Sequence, residues 1–105
     1  GTLKISTLKL QPTIATADFG NDVRIEVSTE NGTDSQGYTA TSRDLDIAII
    51  ESIKAIPDEN GTGVFIIKTG ANAGGKSGNT KIDIHGINTG ARKEFTLTIS
   101  ATATN

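Results

Sequence analysis

The stretch Gly70–Gly86, GANAGGKSGNTKIDIHG, decides between two fold classes. Its first eight residues fit G-x-x-x-x-G-K-[ST], the phosphate-cradling loop of nucleotide hydrolases, and they follow the apolar run Val64-Phe65-Ile66-Ile67. That loop works because a helix starts at its Lys-Ser, where free amides and the helix dipole hold phosphate. Here Gly78, Asn79 and Thr80 come next, all poor helix formers. The chain then alternates: Ile82 and Ile84 share one side, while Lys81, Asp83 and His85 share the other. A period of two marks a half-buried strand. The parallel sheet of a hydrolase would also need long crossovers, and little of this chain reads as helix. The stretch is therefore a Gly-rich connection into a strand, with no nucleotide bound.

Working outward, Glu94–Ala101 alternates too, with Phe95, Leu97, Ile99 and Ala101 inward, and the short polar turn 87–91 joins it to Thr80–Gly86 as a hairpin. Asp22–Ser28 places Val23, Ile25 and Val27 on one face, and Asn31-Gly32 supplies a turn after it. Near the start, Leu3 and Ile5 are odd while Leu8 and Leu10 are even. That change of parity around Ser6-Thr7 predicts a bulge, or a strand that leaves one sheet for the other. Gly37–Thr41 is a weak strand. Residues 43–56 carry two patterns: Leu45, Ile47 and Ile49 alternate as a strand, whereas Leu45, Ile49, Ile53 and Ile56 fit a helical stripe ending before Pro57. The clustered isoleucines favour strand.

The expected core comprises Leu3, Ile5, Val23, Ile25, Val27, Ile47, Ile49, Phe65, Ile67, Ile82, Ile84, Phe95, Leu97 and Ile99. About seven strands with regularly spaced turns predict an all-β fold, an immunoglobulin-like antiparallel β-sandwich. Composition agrees. Of 105 residues 16 are Thr, a β-branched strand former, and 12 Gly furnish turns. One domain, residues 1–105, accounts for the length. The chain begins Gly1-Thr2-Leu3 without Met, so it reads as a module excised from a larger multi-domain protein.

A net charge of -2 with scattered cations offers no field for nucleic acid, and four aromatics are too few for stacking on bases. No run approaches 18 apolar residues, so no membrane-inserted helix is expected. There is no cysteine, and His85 is the single histidine, so neither a thiolate nor a multi-histidine metal site is available. No catalytic constellation and no cofactor site emerges. The acidic pairs Asp44/Asp46 and Asp58-Glu59 lack the calcium-loop spacing of the EF-hand and read as polar turns; a loop-borne calcium site is the alternative. Asn31-Gly32-Thr33 and Asn60-Gly61-Thr62 are N-glycosylation sequons in turns, although Asn-Gly is also simply a good turn. Finally, Lys68 shares parity with Val64 and Ile66. Either those two form an apolar contact patch on an outer sheet face, or the strand is central with both faces covered.

Gly63–Thr69, the Gly-rich link, Thr80–Gly86 and then Arg92–Ile99 resemble the closing strands of immunoglobulin-like repeat modules from bacterial and archaeal cell-surface and S-layer-type proteins. In such modules the penultimate strand ends in Gly before a polar turn, and the last strand is Thr-rich. Phe19–Val27 resembles their Gly-turn leading into a strand. The chain departs from many of them in lacking Trp and in its Ile-rich middle segment. The resemblance implies an extracellular spacer or adhesion unit whose partners are neighbouring modules or other surface proteins. The competing role is a carbohydrate-binding or calcium-stabilised accessory module of an extracellular enzyme. Glycan binding would call on Tyr38 and Phe19 as exposed rings.

Overall fold

A computed structural model of the protein describes residues 5–59 and 61–101. Its strands are β1 (Thr7–Gln11), β2 (Ile14–Ala17), β3 (Val23–Glu30), β4 (Tyr38–Ser42), β5 (Ala48–Lys54), β6 (Gly63–Thr69), β7 (Gly78–Gly86) and β8 (Arg92–Ile99). A single 3-10 turn, Gly70–Asn72, lies between β6 and β7. The strands form two four-stranded sheets, ordered β1-β3-β6-β5 and β2-β8-β7-β4. All pairings are antiparallel except that of β2 with β8. Three strands of one sheet, β8-β7-β4, facing the four of the other is the arrangement of an immunoglobulin-like sandwich, with β2 added as a short edge.

Alternation builds the core. Val23, Ile25 and Val27 of β3 meet Phe65 and Ile67 of β6, Ile82 and Ile84 of β7, and Phe95, Leu97 and Ile99 of β8 in one buried cluster. Each large side chain taken from water contributes about 1.5–3 kcal/mol before entropy is counted. The hairpin β7–β8 pairs Ile82 with Phe95 and closes through the Gly86 amide donating to the Ala91 carbonyl.

Three expectations are corrected. The chain does change sheets early, but at 12–13 between β1 and β2, not at Ser6-Thr7. In consequence Leu8 and Leu10 supply the core, while Ile5 is 83% exposed; Leu3 lies outside the described residues. In the middle segment the strand reading holds for Ala48–Lys54. Its parity does not, because the amides of Ile47 and Ala48 both donate to the Asp44 carbonyl in one tight turn. That turn buries Ile47 and points Ile50 toward the core, leaving Leu45 and Ile49 exposed. At the C-terminal side β8 stops at Ile99, and Ala101 is exposed.

The strand directions sort the loops into two ends. At the upper end Thr7 opens β1 opposite Glu30, beside loops 31–37, 55–62 and 87–91. At the lower end lie loops 18–22, 43–47 and 70–77, where Ile99 closes β8 opposite Gly78. The chain thus enters the sandwich at one end and leaves at the other.

Candidate functional site

The upper loops are held by a buried carboxylate. Asp34, in loop 31–37, is 1% exposed. Its Oδ1 accepts the amides of Asn88 at 2.9 Å and Thr89 at 2.8 Å from loop 87–91. Its Oδ2 accepts the Thr29 hydroxyl at 2.5 Å and the Thr89 hydroxyl at 3.0 Å. Since Thr29 spends its one proton on Asp34, the Tyr38 hydroxyl, 2.8 Å away, donates to Thr29. Burial pushes the Asp34 carboxyl up, but the donors around it outweigh burial and hold it below its ordinary value. Burial raises the Tyr38 phenol, and the Asp34 charge adds to the rise. The Gln36 amide donating to Asn88 Oδ1 and the Ile87 amide donating to the Gly37 carbonyl complete the latch between the loops.

This chain also shields an outer sheet face with ions. Arg43, just past β4, donates from Nε and Nη2 to the two carboxylate oxygens of Asp83 at 2.8 and 2.7 Å, and from Nη2 to Glu94 at 2.5 Å. Lys81 Nζ donates to the other oxygen of Glu94 at 3.0 Å. Asp83 is held below its ordinary value by Arg43, and Glu94 by Lys81 and then Arg43. His85 sits on the same polar face, paired in register with Thr39 and Arg92.

The residues singled out from sequence do not converge. In the Gly-rich loop the Gly75 amide donates to the Gly70 carbonyl and the Lys76 amide to the Asp46 carbonyl, so those donors face protein. β7 starts at Gly78, directly after the Lys76-Ser77 where a phosphate loop would begin its helix. Asp44 Oδ1 accepts the Asp46 amide, and Asp58 Oδ1 accepts the Thr62 amide, so both acidic segments serve their own turns. Among the described residues no group of three or more His, Cys, Asp or Glu side chains could hold a metal ion. No helix there is long and apolar enough to cross a membrane. The sequon residue Asn31 sits exposed in the upper loop with φ 59°, a left-handed conformation that Asn tolerates. Asn60 of the second sequon lies outside the described residues.

Tyr38 is buried and Phe19 packs half-buried on the core, and Phe65 and Phe95 are buried too. The two rings expected to be exposed for sugar stacking are therefore occupied in the fold. Val64 and Ile66 lie on the outer face of β6, a central strand. Val64 is 9% exposed, between Glu26 and Lys54 in register; Ile66 is half-buried, between Arg24 and Glu51. Asp34 and Arg43 escaped notice in the sequence, because a single polar residue in a loop carries no sign of what it will meet.

Strand order and loop placement define the class: an immunoglobulin-like β-sandwich domain. No family model matches the chain, and no curated protein matches it. Among solved structures it is similar to the M1 domain from titin, at 12% identity over 95% of this chain and 97% of that one, with a TM-score of 0.44.

Proposed function

We propose that this domain is a non-catalytic structural module, a spacer or adhesive unit carried in series within a prokaryotic cell-surface protein and acting outside the cell. Its partners are neighbouring modules or other surface proteins. The observation that supports this reading is the placement of the first and last strands: the chain comes in beside Glu30 and goes out beside Gly78, at opposite ends of the sandwich. A module connected this way extends a chain end to end. Its outermost ladder, β2 parallel to β8 from Ile14↔Thr96 to Ala17↔Ile99, is loaded along the strands when the ends are drawn apart. Hydrogen bonds loaded in shear share the force, whereas those peeled from one end break singly. The resemblance of the closing strands to surface repeat modules supports the cellular setting.

Single-molecule force spectroscopy tests the spacer role. Pulling between the two termini should give a markedly higher unfolding force than pulling between the C-terminus and an Asn79→Cys handle. Asn79 pairs with Thr98, so the second geometry peels β7 from β8. Equal, low forces in both geometries would rule out a load-bearing spacer.

A further inference from the structure

We infer that the free edge of β5 is a self-association strand, through which two copies of this chain pair antiparallel about a twofold axis and join their β1-β3-β6-β5 sheets. The inference goes beyond the spacer reading and does not depend on it.

Four strands end the two sheets: β1, β2, β4 and β5. Proteins protect such edges by keeping them short, charged or interrupted by proline. β2 has four residues, and β1 and β4 have five each. β1 presents Lys9 and is followed by Pro12. β5 is the longest of the four at seven residues, and its charges, Glu51 and Lys54, are interspersed with isoleucines. Seven large apolar side chains are exposed among the described residues, and four of them fall on or beside β5: Leu45 at 64%, Ile49 at 40%, Ile53 at 63% and Ile56 at 62%. A bulge between Ser52 and Lys54 interrupts the pairing with β6. A bulge normally blunts an edge, yet this one turns an isoleucine, Ile53, into solvent.

Charge placement selects the occupant. Glu51 pairs with Ile66 and Lys54 with Val64 in register, so both charges stand on the outer face. Directly opposed residues of an antiparallel pair share a face. Setting β5 against a second β5, with the twofold axis between Ser52 and Ile53, places Glu51 of each copy opposite Lys54 of the other. The exposed Ile49 and Ile53 of each copy lie on or beside the same seam. A twofold contact must be self-complementary, and this one is in its charges.

Sedimentation equilibrium on the full chain over a wide concentration range gives the test. The expected result is a mass rising from monomer toward dimer. Glu51→Lys sets lysine against lysine and should weaken dimerisation at least tenfold; Glu51→Lys/Lys54→Glu restores opposite charges and should recover it. Ile53→Lys, a charge placed on the edge, should abolish the dimer while leaving the circular dichroism spectrum and melting temperature close to those of the parent. A monomer at every concentration would overturn the inference. So would a dimer indifferent to both Glu51→Lys and Ile53→Lys, which would place the contact elsewhere.

Discussion

The carboxylate of Asp34 occupies the space beside Gly86 in which a Cβ would stand, with both of its oxygens closer than any side chain there allows. Gly86 closes β7, and its missing side chain lets the 31–37 loop bring its acid into the interior. Gly86→Ala should therefore displace Asp34 and cost about 1–3 kcal/mol, the range for overpacking. Asp34→Ala leaves two amides and two hydroxyls without their acceptor and should cost about 2–4 kcal/mol. The two changes should not add. In the Asp34→Ala background Gly86→Ala should become nearly neutral, which urea unfolding of the four proteins in a double-mutant cycle measures. Strict additivity would mean that the clash is relieved elsewhere.

The same acid makes part of the stability depend on pH. The Asp34 carboxyl is lowered from its ordinary value of 3.8 in the folded chain. Its contribution is complete above that value and drains away as pH falls through the lower folded one, because the unfolded chain then binds the proton more readily. Asp34→Asn lacks this contribution. The stability gap between parent and variant should be widest near neutrality and narrow steadily below pH of about 4. Asp83 and Glu94 are lowered too, but they are present in both proteins and leave the gap untouched. A gap constant down to strong acid would show that shape alone, not charge, matters at this site.

Truncations should separate buried from exposed aliphatic side chains. Ile84 and Leu97 are 1% and 0% exposed in the packed interior. Ile84→Ala or Leu97→Ala should cost about 2–5 kcal/mol in chemical denaturation. Ile49→Ala, on the exposed side of β5, should fall within about 0.5 kcal/mol of the parent. A large loss at Ile49 would reverse the assignment of that strand's faces.

The Gly-rich loop should take no nucleotide. A Cβ on Gly74 would meet the backbone of Asp46, and the neighbouring Lys76 amide is committed to the Asp46 carbonyl. The loop is packed onto the 43–47 turn through these contacts. Titration with Mg-ATP should leave the amide resonances of Gly74 to Gly78 in place. Saturable shifts that disappear in Lys76→Ala would show a phosphate site after all.

What the sequence alone determined is the part written in neighbouring residues. Strands β3, β7 and β8 alternate with period two over six or more residues, and a pleated backbone turns that alternation directly into an inside and an outside. The 87–91 turn follows from local chemistry in the same way, and the strand count with its spacing sufficed to foresee a sandwich. The remainder was decided by contacts between residues distant along the chain. The parity of β5 hangs on one turn at Asp44. The switch between sheets depends on which partner each half of the first strand meets: β3 for Leu8 and Leu10, β8 for Ala15 and Ala17. Tyr38 could be read as an exposed ring until the fold buried it and Thr29, itself bonded to Asp34, accepted its hydroxyl proton. Asp34 gives no local sign of its role because, Thr29 apart, its donors Asn88 and Thr89 lie 54 and 55 positions away. Periodicity reports how a segment divides its own faces; only closure of the two sheets, by bringing distant donors and apolar faces together, decides what each face will meet.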